Sequence, residues 1–262
     1  MSGAGPDQSL PAVTGEPDPW SSLRTLTPAR IALGRAGASL PTRAHLDFQL
    51  AHARARDAVH AALDADALAA SLRETGLDPV AVCSAAQGRE RYLLRPDQGR
   101  RLDSDSRDRL ARMPESTKGK DALFVVADGL SAQAAQAHAA PTLAALIPRL
   151  RDAGWRLAPV VVATQGRVAL GDDIGAALGA ALVVILLGER PGLTAPDSLG
   201  AYLTWSPRPG RTDAERNCIS NIRPEGLSYA RVADTLFHLM TEARRRRLSG
   251  VALKDQTGML EA

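Results

Sequence analysis

The stretch Ala181-Leu182-Val183-Val184-Ile185-Leu186-Leu187-Gly188-Glu189-Arg190-Pro191-Gly192 decides the fold. Seven apolar residues run without a polar break, and Gly188 and Pro191 bound them. A run this short and this rich in Val, Ile and Leu predicts a strand buried on both faces. A charged pair between glycines follows at its carboxyl end. Open α/β sheets place their ligands at that end of the strands.

Upstream, the same grammar repeats. Ala122–Ala127 predicts a buried strand ending in Asp128-Gly129-Leu130-Ser131. Ser131 caps a helix to about His138, and Pro141 starts a second helix to about Ala153, stopped by Gly154. Leu157–Ala163 predicts the next strand and ends in Thr164-Gln165-Gly166-Arg167-Val168. Gly171-Asp172-Asp173 opens a helix with acids in its first turn. Its Gly175 and Gly179 leave room to lie close on the sheet. Downstream, Leu199–Trp205 predicts a fourth strand, and Ser228 to about Arg247 a closing helix. Arg216–Pro224, with Cys218, reads as a long polar loop of the kind that carries function. Alternating strands and helices give the fold class: α/β, a Rossmann-like, mainly parallel sheet with flanking helices. In such a sheet the turns at Asp128-Gly129, Gln165–Val168 and Gly188–Arg190 share one edge. Together they predict a ligand rim.

A small, mostly helical region precedes the sheet. Thr27-Pro28 predicts a helix start, Thr42 to about Leu63 a long helix, Ala65–Thr75 a shorter one. Val80–Cys83 and Tyr92–Leu94 suggest one hairpin, and Ser104–Met113 another helix. The division is 1–20 as a disordered tail, 21–115 as the helical region contacting a partner, and 116–262 as the α/β domain. The Gly34-Arg35-Ala36-Gly37 turn suits either an anion or a contact surface, but lacks the lysine of a phosphate loop. His45, His52 and His60 recur at seven and eight residues. That puts them about two turns apart, wider than the three- or four-residue spacing of metal pairs on helices.

The 262 residues are 45% apolar and only 3% aromatic, with a formal charge of +3. The core is therefore large and its helices pack on alanine. The charge is too small to argue for nucleic acid, and Arg244–Arg247 suits the last turn of a helix. No apolar run is long enough to span a membrane, and no secretory signal opens the chain. Two distant cysteines, Cys83 and Cys218, come without metal-ligand spacing. These features predict a cytoplasmic protein.

No G-x-S-x-G, G-x-G-x-x-G or H-E-x-x-H occurs. Ser131, His138 and Asp128 spell a triad only on paper, because Ser131 and Asp128 are capping positions. No catalytic residue and no metal ligand is assigned. A chain that binds without its own reactive groups suggests one that lends a ligand to a partner.

Several long motifs in order resemble the small (light) subunits of ethanolamine ammonia-lyase. They are GRAGASLPT (Gly34–Thr42), LDFQLAHARARDAV (Leu46–Val59), ADGLSA (Ala127–Ala132), QGRVALGDDIG (Gln165–Gly175), GERPGL (Gly188–Leu193), SPRPGRTDAERNCISNI (Ser206–Ile222) and EARRRRLSGVALK (Glu242–Lys254). The resemblance implies an ammonia-lyase subunit in a hetero-oligomer with a large barrel subunit that carries the substrate site. It implies adenosylcobalamin as cofactor, held between the chains from its nucleotide-base side, and conversion of ethanolamine to acetaldehyde and ammonia by radical chemistry. The D-x-H-x-x-G string of histidine-ligated cobalamin domains is absent, so cobalt is expected to keep the cofactor's own base. The family's cofactor contacts fall on Val168, Glu189 and Cys218. A stand-alone cobalamin-binding or carrier module is the alternative reading, and a bacterial microcompartment an alternative address within the cytoplasm.

Overall fold

A computed structural model describes residues 18–254 of the chain. The expectation for the tail, 1–20, lies outside the described residues up to position 17. The chain divides into two compact units, Met1–Arg54 and Ala55–Ala262.

In the first unit a short 3-10 turn, Ser21–Thr25, leads into irregular chain. No helix forms at Thr27-Pro28, contrary to the capping signal there. The segment is too short before Gly34 and Gly37, both at positive φ, to complete the costly first turns of a helix. Helix α1 (Thr42–His60) then begins, and its C-terminal end belongs to the second unit.

The second unit is a mixed α/β structure. In chain order it contains α2 (Ala65–Glu74), β1 (Pro79–Cys83), α3 (Arg89–Leu94), α4 (Ser104–Ala111), β2 (Ala122–Ala127), α5 (Ala132–Asp152), β3 (Val160–Thr164), α6 (Leu170–Ala177), β4 (Leu182–Gly188), β5 (Leu199–Trp205), β6 (Arg216–Ile222) and α7 (Tyr229–Arg246). The strands form one six-stranded sheet in the order β1-β3-β2-β4-β5-β6. Strands β1 to β4 are mutually parallel, while β5 and β6 pair antiparallel.

The pleat divides the core between two faces. Phe124, Val126, Val184 and Leu186 pack under α2, α5 and α7. Leu123, Val125, Val183 and Ile185 face α6 and α4. Because every residue of β2 and β4 is buried, these strands show no alternation in sequence, as expected of central parallel strands.

Four sequence expectations need correction. Tyr92–Leu94 is helical, not half of a hairpin, and Tyr92 is wholly buried. Pro141 and Pro148 lie inside one continuous α5. A proline removes one internal hydrogen bond, but the helix is held along its length by buried Ala139, Leu143, Leu146 and Leu150. Nearby, the Thr142 hydroxyl donates to the His138 carbonyl at 2.7 Å. The Cys218 segment is an edge strand, not a loop. A register irregularity opposite Leu199/Ala201 spaces its inward residues Ile219 and Ile222 three apart, which hides the two-residue period. Finally, Gly179 ends α6 at φ +60° instead of easing it onto the sheet. Gly171 and Gly175 do the latter: a Cβ on Gly171 would meet Ile185 at 3.3 Å and one on Gly175 would meet Val183 at 3.6 Å, while Gly175 also makes room for Pro207 of the loop after β5, 2.5 Å from such a Cβ.

Candidate functional site

The sheet grows outward from β2 in both directions. The β2–β3 connection, α5, covers one face, and the β3–β4 connection, α6, covers the other. At that reversal the carboxyl ends of β2, β3 and β4 diverge, which is where doubly wound sheets open a crevice. A cavity of about 810 Å³ lies there. The three rim turns expected from sequence all reach it, through Leu130, Arg167-Val168 and Gly188-Glu189-Arg190.

Asp128 organises the rim. It is completely buried at the end of β2. Its carboxylate accepts from the Gln165 amide at 3.0 Å and the Gly166 amide at 2.9 Å. Arg89 lies 3.3 Å away and also donates to the Gly129 carbonyl at 2.8 Å. Burial pushes the Asp128 carboxyl above its usual range, while the Gly166 and Gln165 amides and Arg89 act against that. The residue therefore ties the end of β2 to the turn after β3. That turn is strained: Gln165, not a glycine, sits at φ +57°.

Tyr92 is the second organiser. Its hydroxyl donates to the Gly166 carbonyl at 3.0 Å. The guanidinium carbons of Arg89 and Arg167 stand 4.9 Å and 4.4 Å from its ring centroid. Burial pushes the Tyr92 hydroxyl far above its usual range, so it remains a donor.

On the opposite wall, Glu189 accepts from the Ser198 and Ser220 hydroxyls and from the Asn221 amide at 3.1 Å. Its partners are thus hydroxyls and an amide on neighbouring chain, not Arg190. Val168 lines the cavity with Glu189. Cys218 does not line it. It pairs across the sheet with Tyr202, which does. Although the residue is exposed, partial loss of solvent around its sulfur and the nearby Glu189 carboxylate push the Cys218 thiol up.

Also on the cavity lining, Arg216 reaches from β6 to Asp172 of α6 in a bidentate pair at 2.7 Å on each arm. It also donates to Thr204 at 3.0 Å. Thr212 and Glu215 form a capping box beside it, and Glu215 pairs with Arg211. The Thr212 amide and Arg211 hold the Glu215 carboxyl at about 2. Its stabilising contribution is complete above the ordinary value of 4.5 and is lost as pH falls from there towards 2.

Ser131 and His138 serve the scaffold. Ser131 donates to the Pro196 carbonyl at 2.9 Å and caps α5, and His138 bonds the Tyr229 hydroxyl at 2.8 Å. Sequence reasoning found the rim but not Tyr92, Arg89 or Arg216. Tyr92 left one usable signal: it stands three residues after Arg89 in a chain with three tyrosines.

The family model described as Ethanolamine ammonia-lyase light chain (EutC) matches residues 17–254. The chain is similar to a protein of Azotobacter vinelandii, with 60% identity over 240 residues that cover 91% of this chain and 89% of that one. It is 57% identical over 251 residues to a protein of Pseudomonas aeruginosa, covering 95% of this chain and 92% of the relative. A protein of Ralstonia nicotianae is 55% identical over 248 residues, covering 94% and 92%. All three relatives are named ethanolamine ammonia-lyase small subunit.

Proposed function

This chain belongs to the ethanolamine ammonia-lyase light-chain family, as one subunit of a lyase, and on that premise we propose that its cavity holds adenosylcobalamin against the large subunit. The observation that carries this reading is the convergence of three strand ends, with Val168 and Glu189, on one cavity. Its size fits the expectation for a small-molecule site, and its walls fit the chemistry of a corrin edge. Amide-fringed rings need acceptors and donors, which Glu189 and the rim backbone supply. The apolar base and ring faces suit Val168 and Leu187.

When bound, adenosylcobalamin supplies the radical chemistry that turns ethanolamine into acetaldehyde and ammonia. The residues of this chain position and enclose. Asp128 and Tyr92 fix the turn that presents Val168. Ser198, Ser220 and the Asn221 amide orient the Glu189 carboxylate towards the cofactor's amide or ribose groups. Cys218 is exposed beside Tyr202 and does not line the cavity, so in this reading its sulfur is a soft apolar contact to a part of the cofactor that extends beyond the cavity. The substrate site falls to the large subunit, a barrel, with the mostly helical stretch 21–115 as the contact to it. The sheet is Rossmann-like in this reading, and the cobalt keeps its own base. The enzyme works in the cytoplasm, free or inside a bacterial microcompartment. Among the described residues no helix is long and apolar enough to cross a membrane.

Co-expression with the large subunit, followed by sizing and a visible spectrum after adding cobalamin, tests the reading. A co-eluting complex with corrin absorbance is expected, and the isolated chain should show no ethanolamine deamination. A chain that neither co-elutes nor acquires the absorbance refutes it. Corrin absorbance on a chain that does not co-elute would favour the stand-alone alternative, and turnover by the isolated chain would refute its dependence on a partner.

Glu189→Ala in the assembled enzyme should weaken adenosylcobalamin by roughly 10- to 100-fold, the cost of losing a hydrogen bond to a charged group in a closed site. It also releases three internal donors, so some stability falls with it. Glu189→Gln keeps the shape and one acceptor and should lose less. An unchanged dissociation constant with a lowered melting temperature would make Glu189 a structural residue only.

A further inference from the structure

The lining of the cavity carries positive charge that the chain itself does not match. Arg100, Arg167 and Arg190 line it. Among the described residues none of the three has a carboxylate ion pair, whereas Arg211 and Arg216 are matched by Glu215 and Asp172. The two acids on the lining are already engaged. Glu189 is taken up by two hydroxyls and an amide, and Asp213 lies 3.5 Å from Arg216.

Arg167 is built into place. Its amide donates to the Gly99 carbonyl at 2.8 Å, and its guanidinium stacks over the Tyr92 ring at 4.4 Å. A Cβ on Gly99 would meet the Arg167 Cγ at 2.9 Å, so glycine there leaves the arginine stem its room. The Nε of Arg167 is buried without a hydrogen-bond partner. Beside it the chain turns into α6. The Leu170 and Gly171 amides bond back to Arg167 and Val168, while the amides of Val168 and Ala169 meet no internal acceptor among the described residues. A planar guanidinium fork on the residue that precedes two open amides at a helix start is a donor set that suits a phosphate-type anion.

We propose that Arg167, with the Val168 and Ala169 amides and support from Arg100 and Arg190, binds a phosphodiester. It is the diester of the nucleotide loop that tethers the cofactor's base. This rests on the reading that the cavity takes cobalamin, and it makes Arg167 a determinant of which corrinoid is accepted. A ligand that carries the loop gains the guanidinium contact; a corrinoid cut before the phosphate does not. Rim charges such as Arg100 and Arg190, both exposed, steer the anion in, and the fixed Arg167 discriminates.

The test uses the enzyme assembled with its large subunit, as parent, Arg167→Gln and Arg167→Lys. Two ligands are titrated, adenosylcobalamin and adenosylcobinamide, which lacks phosphate, ribose and base. Melting temperature is followed with added inorganic phosphate against chloride at equal ionic strength. Arg167→Gln should weaken adenosylcobalamin roughly 10- to 100-fold and leave adenosylcobinamide within about twofold. Arg167→Lys should fall between, since it keeps the charge and loses the fork. Phosphate should raise the melting temperature of the parent more than that of Arg167→Gln. Equal weakening of both corrinoids, or of neither, with no difference in the phosphate effect, overturns the proposal. If the parent takes up neither corrinoid while Arg167→Gln still loses the phosphate effect, the anion site stands and the cobalamin reading fails.

Discussion

Replacing Asp128 by alanine should cost about 3–5 kcal/mol of stability, the range for removing one partner of a buried charged pair. The carboxylate holds three things at once: the Gln165 amide, the Gly166 amide and Arg89. Asp128 is fully buried, so the two amides lose their acceptor inside the packed end of the sheet. Arg89 keeps its bonds to the Val59 and Gly129 carbonyls but loses its counter-charge. Gln165, at φ +57°, is then free to relax out of its strained backbone. For a folded unit of this size the loss corresponds to roughly 6–20 °C in melting temperature. Asp128→Asn should lose less, since it retains an acceptor and the shape, but its amide hydrogens face one of the two donors. If the cavity holds the proposed cofactor, the same change should weaken its binding through the Val168 turn, without contact to it. A thermal unfolding curve for Asp128→Ala that overlays the parent would refute the role given to this residue.

Gly188→Ala should be as damaging, for a steric reason. A Cβ on Gly188 would stand 2.0 Å from the Ser131 carbonyl oxygen and 2.5 Å from that of Asp128. The Leu130 amide bonds the Gly188 carbonyl at 2.9 Å, so the two chains cannot part without breaking that contact. Both obstacles are backbone atoms at the join of β2 and α5, and neither can swing aside as a side chain would. Overpacking of flexible cores costs about 1–3 kcal/mol; a clash with rigid backbone belongs at or above the top of that range. The displaced residue is next to Glu189, so the cavity wall moves with it. Gly192→Ala is the control: its Cβ would come no closer than 3.7 Å to any neighbour, and its φ is not in the left-handed region. In urea, Gly188→Ala should show a midpoint well below the parent with a similar slope, and Gly192→Ala a midpoint close to it. Equal midpoints for the two variants would contradict the close approach of the strands.

The sequence by itself determined the parts of this protein whose cause is local. Ala122–Ala127 and Leu182–Gly188 could only be central strands, because uninterrupted Val, Ile and Leu need burial on both faces. The turns that follow them could therefore be placed on one edge, and Val168 and Glu189 with them. Ser131 and Gly154 marked the two ends of α5 correctly. Tertiary structure decided what depends on distant partners. Pro141 looked like a helix start until the sheet held α5 straight through it. The polar strand β6 looked like a loop because one of its faces meets solvent and a bulge breaks its period. The links from Asp128 to Gln165, 37 residues on, and from Tyr92 to Gly166, 74 residues on, join segments with no pattern in common. Burial periodicity reports which face of an element turns inward. It carries no record of which buried polar groups satisfy one another, and in this protein those pairings hold the site.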